Sequence, residues 1–87
     1  MENRPSKVVP FDFALSAAIR GVVAERQFTQ SYIGKRSNTT TRTLIRYLNG
    51  QSPIPVAKLM DIGEAIGVRA EDLIARARVI MAQREAD

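Results

Sequence analysis

Apolar side chains recur along this chain at helical spacing in successive stretches separated by turn-forming residues. Leu15, Ala18, Ile19 and Val22 share one face and predict a first helix over Phe13 to Arg26, with Asp12 as its cap. Thr29 is suited to cap a second, short helix. Phe28 before it and Ile33 after it have hydrophobic-staple spacing. Ser37-Asn38-Thr39 then breaks the apolar period. Thr40 opens a third helix over Thr41 to Leu48, which Asn49-Gly50 closes with Gly50 at the left-handed C′ position. After the rigid loop Gln51-Ser52-Pro53-Ile54-Pro55, with Pro55 in the first turn, a fourth helix runs from Val56 to Ile66. Leu59, Ile62, Ala65 and Ile66 turn inward there, and Gly67 ends it. A fifth helix begins near Ala70 and continues to about Glu85, with Glu71 and Asp72 at its positive end and Leu73, Ile74 and Ala77 on the core. The pattern predicts an all-α, compact five-helix fold. Phe11 or Phe13 should cover one end of the core. Gly21, which costs a helix about 1 kcal/mol against alanine, would mark a close helix contact, and Gly34 would let another helix approach.

The stretch Phe28 to Gly50 carries the chemistry. Projected at helical pitch, Leu44, Tyr47 and Leu48 of the third helix fall together, and Thr41, Arg42, Ile45, Arg46 and Asn49 fall on the other side. That outward face offers two guanidiniums, a hydroxyl, an amide and methyl groups. A guanidinium can bond guanine O6 and N7 together, and a methyl can meet thymine. Two short amphipathic helices around a tight turn are what a DNA-reading helix-turn-helix requires. Thr41, Arg42, Ile45 and Arg46 are therefore the expected base contacts, and Lys35 and Arg36 the expected phosphate neighbours. Tyr32 fits either a phosphate bond or packing.

Charge sharpens this picture. Lysines and arginines number 13 against 9 acids, for a net charge of +4. No acid lies between Glu25 and Asp61, while Arg26, Lys35, Arg36, Arg42, Arg46 and Lys58 all do. A basic region centred on the turn is the footprint of a polyanionic partner. The chain of 87 residues makes one domain, and 45% hydrophobic content supplies a small core without disulfides. It contains no cysteine and no histidine, which excludes zinc fingers, thiol redox sites and histidine acid-base chemistry. Nothing gathers into a nucleophile with its base, a metal cluster or a phosphate-cradling glycine loop, so no enzyme, metal or cofactor is expected. No apolar run reaches membrane-spanning length and no signal pattern opens the chain, so a cytoplasmic location is expected.

These residues resemble the Cro/C1-type helix-turn-helix of phage and bacterial repressors, the XRE family. The likeness runs without a gap from Phe28 to Gly50. Its landmarks are Thr29-Gln30, Ile33-Gly34 where the family has Leu-Ala, Leu44, and Tyr47-Leu48-Asn49-Gly50. It continues through Ile62-Gly63-Glu64-Ala65-Ile66-Gly67-Val68 and Glu71-Asp72-Leu73, covering roughly residues 12 to 76. Ser37 and Thr39 depart from the family's apolar turn, and Leu48 stands where a glutamate is frequent. The resemblance implies a lambda-repressor-like DNA-binding domain with the motif at helices 2 and 3. It also implies that Gln30, beside Thr29 at the amino end of helix 2, bridges a phosphate and the recognition helix. Asn49, Gln51 and Ser52 would be further phosphate contacts. Residues 1–10 would form a flexible arm with Arg4 and Lys7 within reach of DNA, 11–76 the domain proper, and 77–87 an extension of the last helix. Ile74, Ala77, Ile80 and Met81 would then serve a homodimer, by the family's habit of pairing through this end. The expected partner is a double-stranded, pseudo-palindromic operator with half-sites roughly 34 Å apart. No small-molecule ligand or membrane is expected, and repression is the expected outcome. An antitoxin-type interaction module that also binds DNA is the rival reading, and a monomeric cofactor of a larger regulator is a third.

Overall fold

The computed structural model describes residues 8–86, so the expected arm contacts Arg4 and Lys7 lie outside the described residues. Five α-helices follow in order: α1 (Pro10–Arg26), α2 (Gln30–Arg36), α3 (Thr41–Leu48), α4 (Val56–Ile66) and α5 (Ala70–Ala86). No strand occurs among the described residues. The all-α, five-helix expectation holds.

Each helix places at least one side chain in the common interior. Ile19 of α1, Ile33 of α2, Leu44 of α3, Ile62 and Ile66 of α4 and Leu73 of α5 are fully buried. Burying one such side chain stabilises by about 1.5–3 kcal/mol. This shared core therefore decides how the short helices are oriented, since helices of seven or eight residues are marginal alone. The most extensive pairing is α5 along α1, while α2 packs against α3 and α4 and α1 also meets α3. The helix-turn-helix thus rests on a frame of α1, α4 and α5.

Several local expectations need correction. α1 begins at Pro10, with Val9 as its cap. Proline's fixed φ suits a first helical position, where its missing N–H costs nothing. Asp12 is the third residue of the helix, and its carboxylate reaches back to accept from the Val9 amide at 2.9 Å. Pro55 caps α4 instead of entering its first turn. At Gly34 the close neighbour is not another helix but the turn itself, since an added β-carbon would sit 2.8 Å from the Thr39 carbonyl oxygen. Gly21 has no such neighbour within 4 Å. Phe11 packs on the core, whereas Phe13 is 44% exposed and lays its ring against Gly50.

The last helix is continuous, as expected, but one of the residues expected at a dimer contact is not available for it. α5 runs unbroken through residue 77, and Ala77 is fully buried in the domain's own core. It offers no surface to a second chain. Ile74, Ile80 and Met81 are half-buried against the same core, and among the described residues of this helix the exposed large apolar side chain is Val79. No described helix is long and apolar enough to cross a membrane.

Candidate nucleic-acid interface

The interface is built from two capped helices and the turn between them. Thr29 accepts from the Tyr32 amide at 3.1 Å and opens α2. Phe28 and Tyr32 stack, with ring centroids 5.3 Å apart and planes 6° from parallel. The Arg36 guanidinium covers the Tyr32 ring at 5.4 Å. Tyr32 is thus a packing residue on its ring faces, and Arg36 is held against it by a cation–π contact.

In the turn, the two polar departures from an apolar pattern are both buried. Ser37 Oγ donates to the Ile33 carbonyl at 2.6 Å and lies 3.0 Å from Thr39 Oγ1, which donates to the Ser37 carbonyl at 3.1 Å. Burial without partners would be costly; these hydroxyls answer one another and the backbone. Asn38 between them adopts a left-handed conformation, φ 53°, which asparagine tolerates better than most residues. The Thr39 amide closes the turn on the Gly34 carbonyl at 2.8 Å, and the Thr39 carbonyl oxygen lies where a β-carbon at residue 34 would have to go.

Thr40 caps α3 by accepting from the Thr43 amide at 3.2 Å. Leu44, Tyr47 and Leu48 are buried, while Thr41, Arg42, Arg46 and Asn49 are exposed and Ile45 is half-buried. The inward and outward faces of α3 divide as its periodicity predicts. At its far end Gly50 takes φ 70° and the Gln51 amide returns to the Arg46 carbonyl at 2.9 Å.

Around α3 the structure gathers most of the remaining candidates. Lys35 shares an open cleft with Ser31, Asn38, Thr40 and Thr41 at the start of α3. Gln30 and Asn49 line a second cleft at its other end, together with Arg20. Thr29, Gln30, Lys35, Arg36 and Gln51 are exposed, and Ser52 is half-buried with a long bond from its hydroxyl to the Pro53 carbonyl at 3.5 Å. Ile74, Ile80 and Met81 belong to the α1–α5 packing described above.

Four residues that periodicity could not place reach across the fold to backbone carbonyls. Ser16 donates to the Tyr47 carbonyl at 2.6 Å, and Arg20, one turn along α1, donates to the Leu48 carbonyl. Lys58 of α4 donates to the Asn38 carbonyl at 2.7 Å and lies 3.3 Å from that of Ser37. Arg26 likewise donates to the Ile66 carbonyl at 2.9 Å, at the end of α4. Arg26 and Lys58, counted from sequence toward the basic window, are therefore committed to backbone carbonyls. The cations left facing solvent are Lys35, Arg36, Arg42 and Arg46. No group of three potential metal-ligating side chains forms among the described residues.

No protein-family model matches the chain, and no curated protein matches it. Two solved structures do, both of the clp gene regulator ClgR from Corynebacterium glutamicum. One is 24% identical, with a TM-score of 0.83 over 87% of this chain and 81% of that one. The other is 22% identical, with a TM-score of 0.77 over 82% of this chain and 92% of that one. The likeness is one of fold: the five-helix arrangement of this chain is that of these regulators.

Proposed function

We propose that this chain is a sequence-specific transcriptional regulator that binds double-stranded DNA, and most specifically a repressor of the phage Cro or immunity type. The observation that carries the reading is the outward face of α3. Thr41, Arg42 and Arg46 stand exposed with Ile45 beside them, on a helix whose buried face anchors it to the core. The acid-free segment around this face adds sequence-independent attraction for phosphate. The two structural neighbours are named as gene regulators, which fits the same reading.

In this reading α3 enters the major groove. Arg42 and Arg46 read base edges, Thr41 adds a hydroxyl, and Ile45 adds an apolar contact. Thr29, Gln30, Lys35, Arg36, Asn49, Gln51 and Ser52 grip the phosphates on either side, which sets register and not sequence. The chain acts as a homodimer on a pseudo-palindromic operator in the cytoplasm or on the nucleoid, without a cofactor, and represses by occluding polymerase. The test is selection of bound duplexes from a random pool. A single enriched motif with two half-sites is expected. A pool that stays random, or no retention at low salt, overturns the reading.

A further inference from the structure

Lys58 stands on α4, outside the helix-turn-helix, and its side chain is half-buried. Its ammonium donates to the Asn38 carbonyl at 2.7 Å and reaches the Ser37 carbonyl at 3.3 Å. Both carbonyls belong to the turn that sets the angle between α2 and α3. Asn38 is the turn's left-handed residue. Ser37 and Thr39 fasten the turn from inside through their hydroxyls. Lys58 fastens it from a third helix, one that packs on α2 and belongs to the frame.

We propose that Lys58 is a positioning residue for sequence readout: it holds the α2–α3 turn, and thereby the approach of Thr41 and Arg42 to base edges, without itself touching the nucleic acid. This rests on the DNA-binding reading above. Paired bonds from a guanidinium to one base require a narrow geometry, whereas phosphate attraction tolerates a shifted helix. A loosened turn therefore weakens binding to the operator more than binding to random DNA. A lysine that neutralised a phosphate would do the opposite, weakening both alike and flattening the salt dependence.

The experiment compares the full chain with Lys58→Met, Lys58→Arg and, as a phosphate-contact reference, Lys35→Ala. Affinities for the selected duplex and a random-sequence duplex are measured across salt concentrations. Amide hydrogen exchange is measured without DNA. Lys58→Met should lower the ratio of specific to random affinity about tenfold, the scale of one lost bidentate base contact. It should leave the slope of log affinity against log salt unchanged and speed exchange of the Thr39 amide. Lys58→Arg, whose guanidinium can donate to the same carbonyls, should restore most of the ratio. If Lys58→Met fails to fold, Lys58→Gln, which keeps a donor without the charge, takes its place. A slope shallower by about 0.9 with both duplexes weakened alike makes Lys58 a phosphate contact and overturns the proposal. Unchanged exchange at Thr39 overturns it as well. A wild-type chain that binds no duplex defeats the DNA reading and the readout role with it, while the exchange result still decides separately whether the latch exists.

Discussion

The Ser16 hydroxyl donates to the Tyr47 carbonyl at 2.6 Å, across 31 residues of sequence, and so ties the buried face of α1 to the last turn of α3. Helix ends leave carbonyls without partners inside the helix. Here α1 supplies donors for two of them, through Ser16 and, one turn further on, Arg20. Residue 48 is a buried leucine, and Arg20 meets its backbone carbonyl.

Ser16→Ala should destabilise the fold by about 1 kcal/mol, the net worth of one intramolecular hydrogen bond. A larger loss is not expected, because the Gly50 amide also donates to the Tyr47 carbonyl, at 3.2 Å. Urea denaturation of Ser16→Ala checks this, with Ser31→Ala, at an exposed position, as the silent comparison.

Arg42→Ala and Lys35→Ala separate base reading from phosphate attraction. The first should cost about 1–3 kcal/mol on the selected operator and relax one base position. The second should weaken all duplexes alike and reduce the salt slope by about 0.9. Titration of both variants against operator and random duplexes at several salt concentrations distinguishes them. Equal losses from both on random DNA would contradict the assignment of roles.

What the sequence could and could not disclose follows the range of the interactions. Thr29 and Thr40 cap amides three residues away, and Gly50 and Gly67 end helices by their own backbone conformation, so local spacing sufficed. The two faces of α3 follow from periodicity in the same way. Lys58 to Asn38 spans 20 residues and Arg26 to Ile66 spans 40, and in each case the acceptor is a backbone carbonyl. A carbonyl has no side-chain identity to read, so these cations looked like free charge. Ala77 shows the same limit from the other side: its spacing puts it on the core, where it is fully buried, and that burial leaves no room for the dimer contact also expected of it.

Two glycines should respond in opposite directions to alanine. An added β-carbon at Gly63 would sit 2.5 Å from the Val68 carbonyl oxygen, a backbone atom that cannot move cheaply. Gly63→Ala should therefore destabilise by about 1–3 kcal/mol despite alanine's better helix propensity. At Gly21 the same carbon meets nothing within 4 Å, so Gly21→Ala should stabilise by up to about 1 kcal/mol. Thermal unfolding of the pair decides it, and destabilisation by Gly21→Ala would mean that an unseen neighbour occupies that face.

Acid should remove one small contribution at the start of α5. The Glu71 carboxyl titrates below its ordinary value, first through a hydrogen bond from its own backbone amide and then through the Arg69 guanidinium at 2.8 Å. A lowered folded-state pKa stabilises above the unfolded value and is lost as pH falls through the lowered one. The stability difference between wild type and Glu71→Gln should therefore be present near neutral pH and vanish in acid. Both side chains are exposed, so high salt should diminish the difference too.

Val79 provides the test of pairing through α5. It is 57% exposed and stands with Ala17, Ala18, Gly21 and Ile80 on a mostly apolar open cleft between α1 and α5 that Arg76 borders. Because its side chain already faces water, Val79→Glu should leave unfolding by urea nearly unchanged. In a dimer that uses this cleft, two carboxylates would be brought against apolar surface and close to each other, which opposes association strongly. Sedimentation should then show a monomer where wild type shows a dimer, and binding to a two-half-site duplex should lose its cooperativity while a single half-site is bound as before. If wild type already sediments as a monomer at concentrations that saturate the operator, or if the variant still dimerises, pairing through this face is wrong and α5 serves only the core.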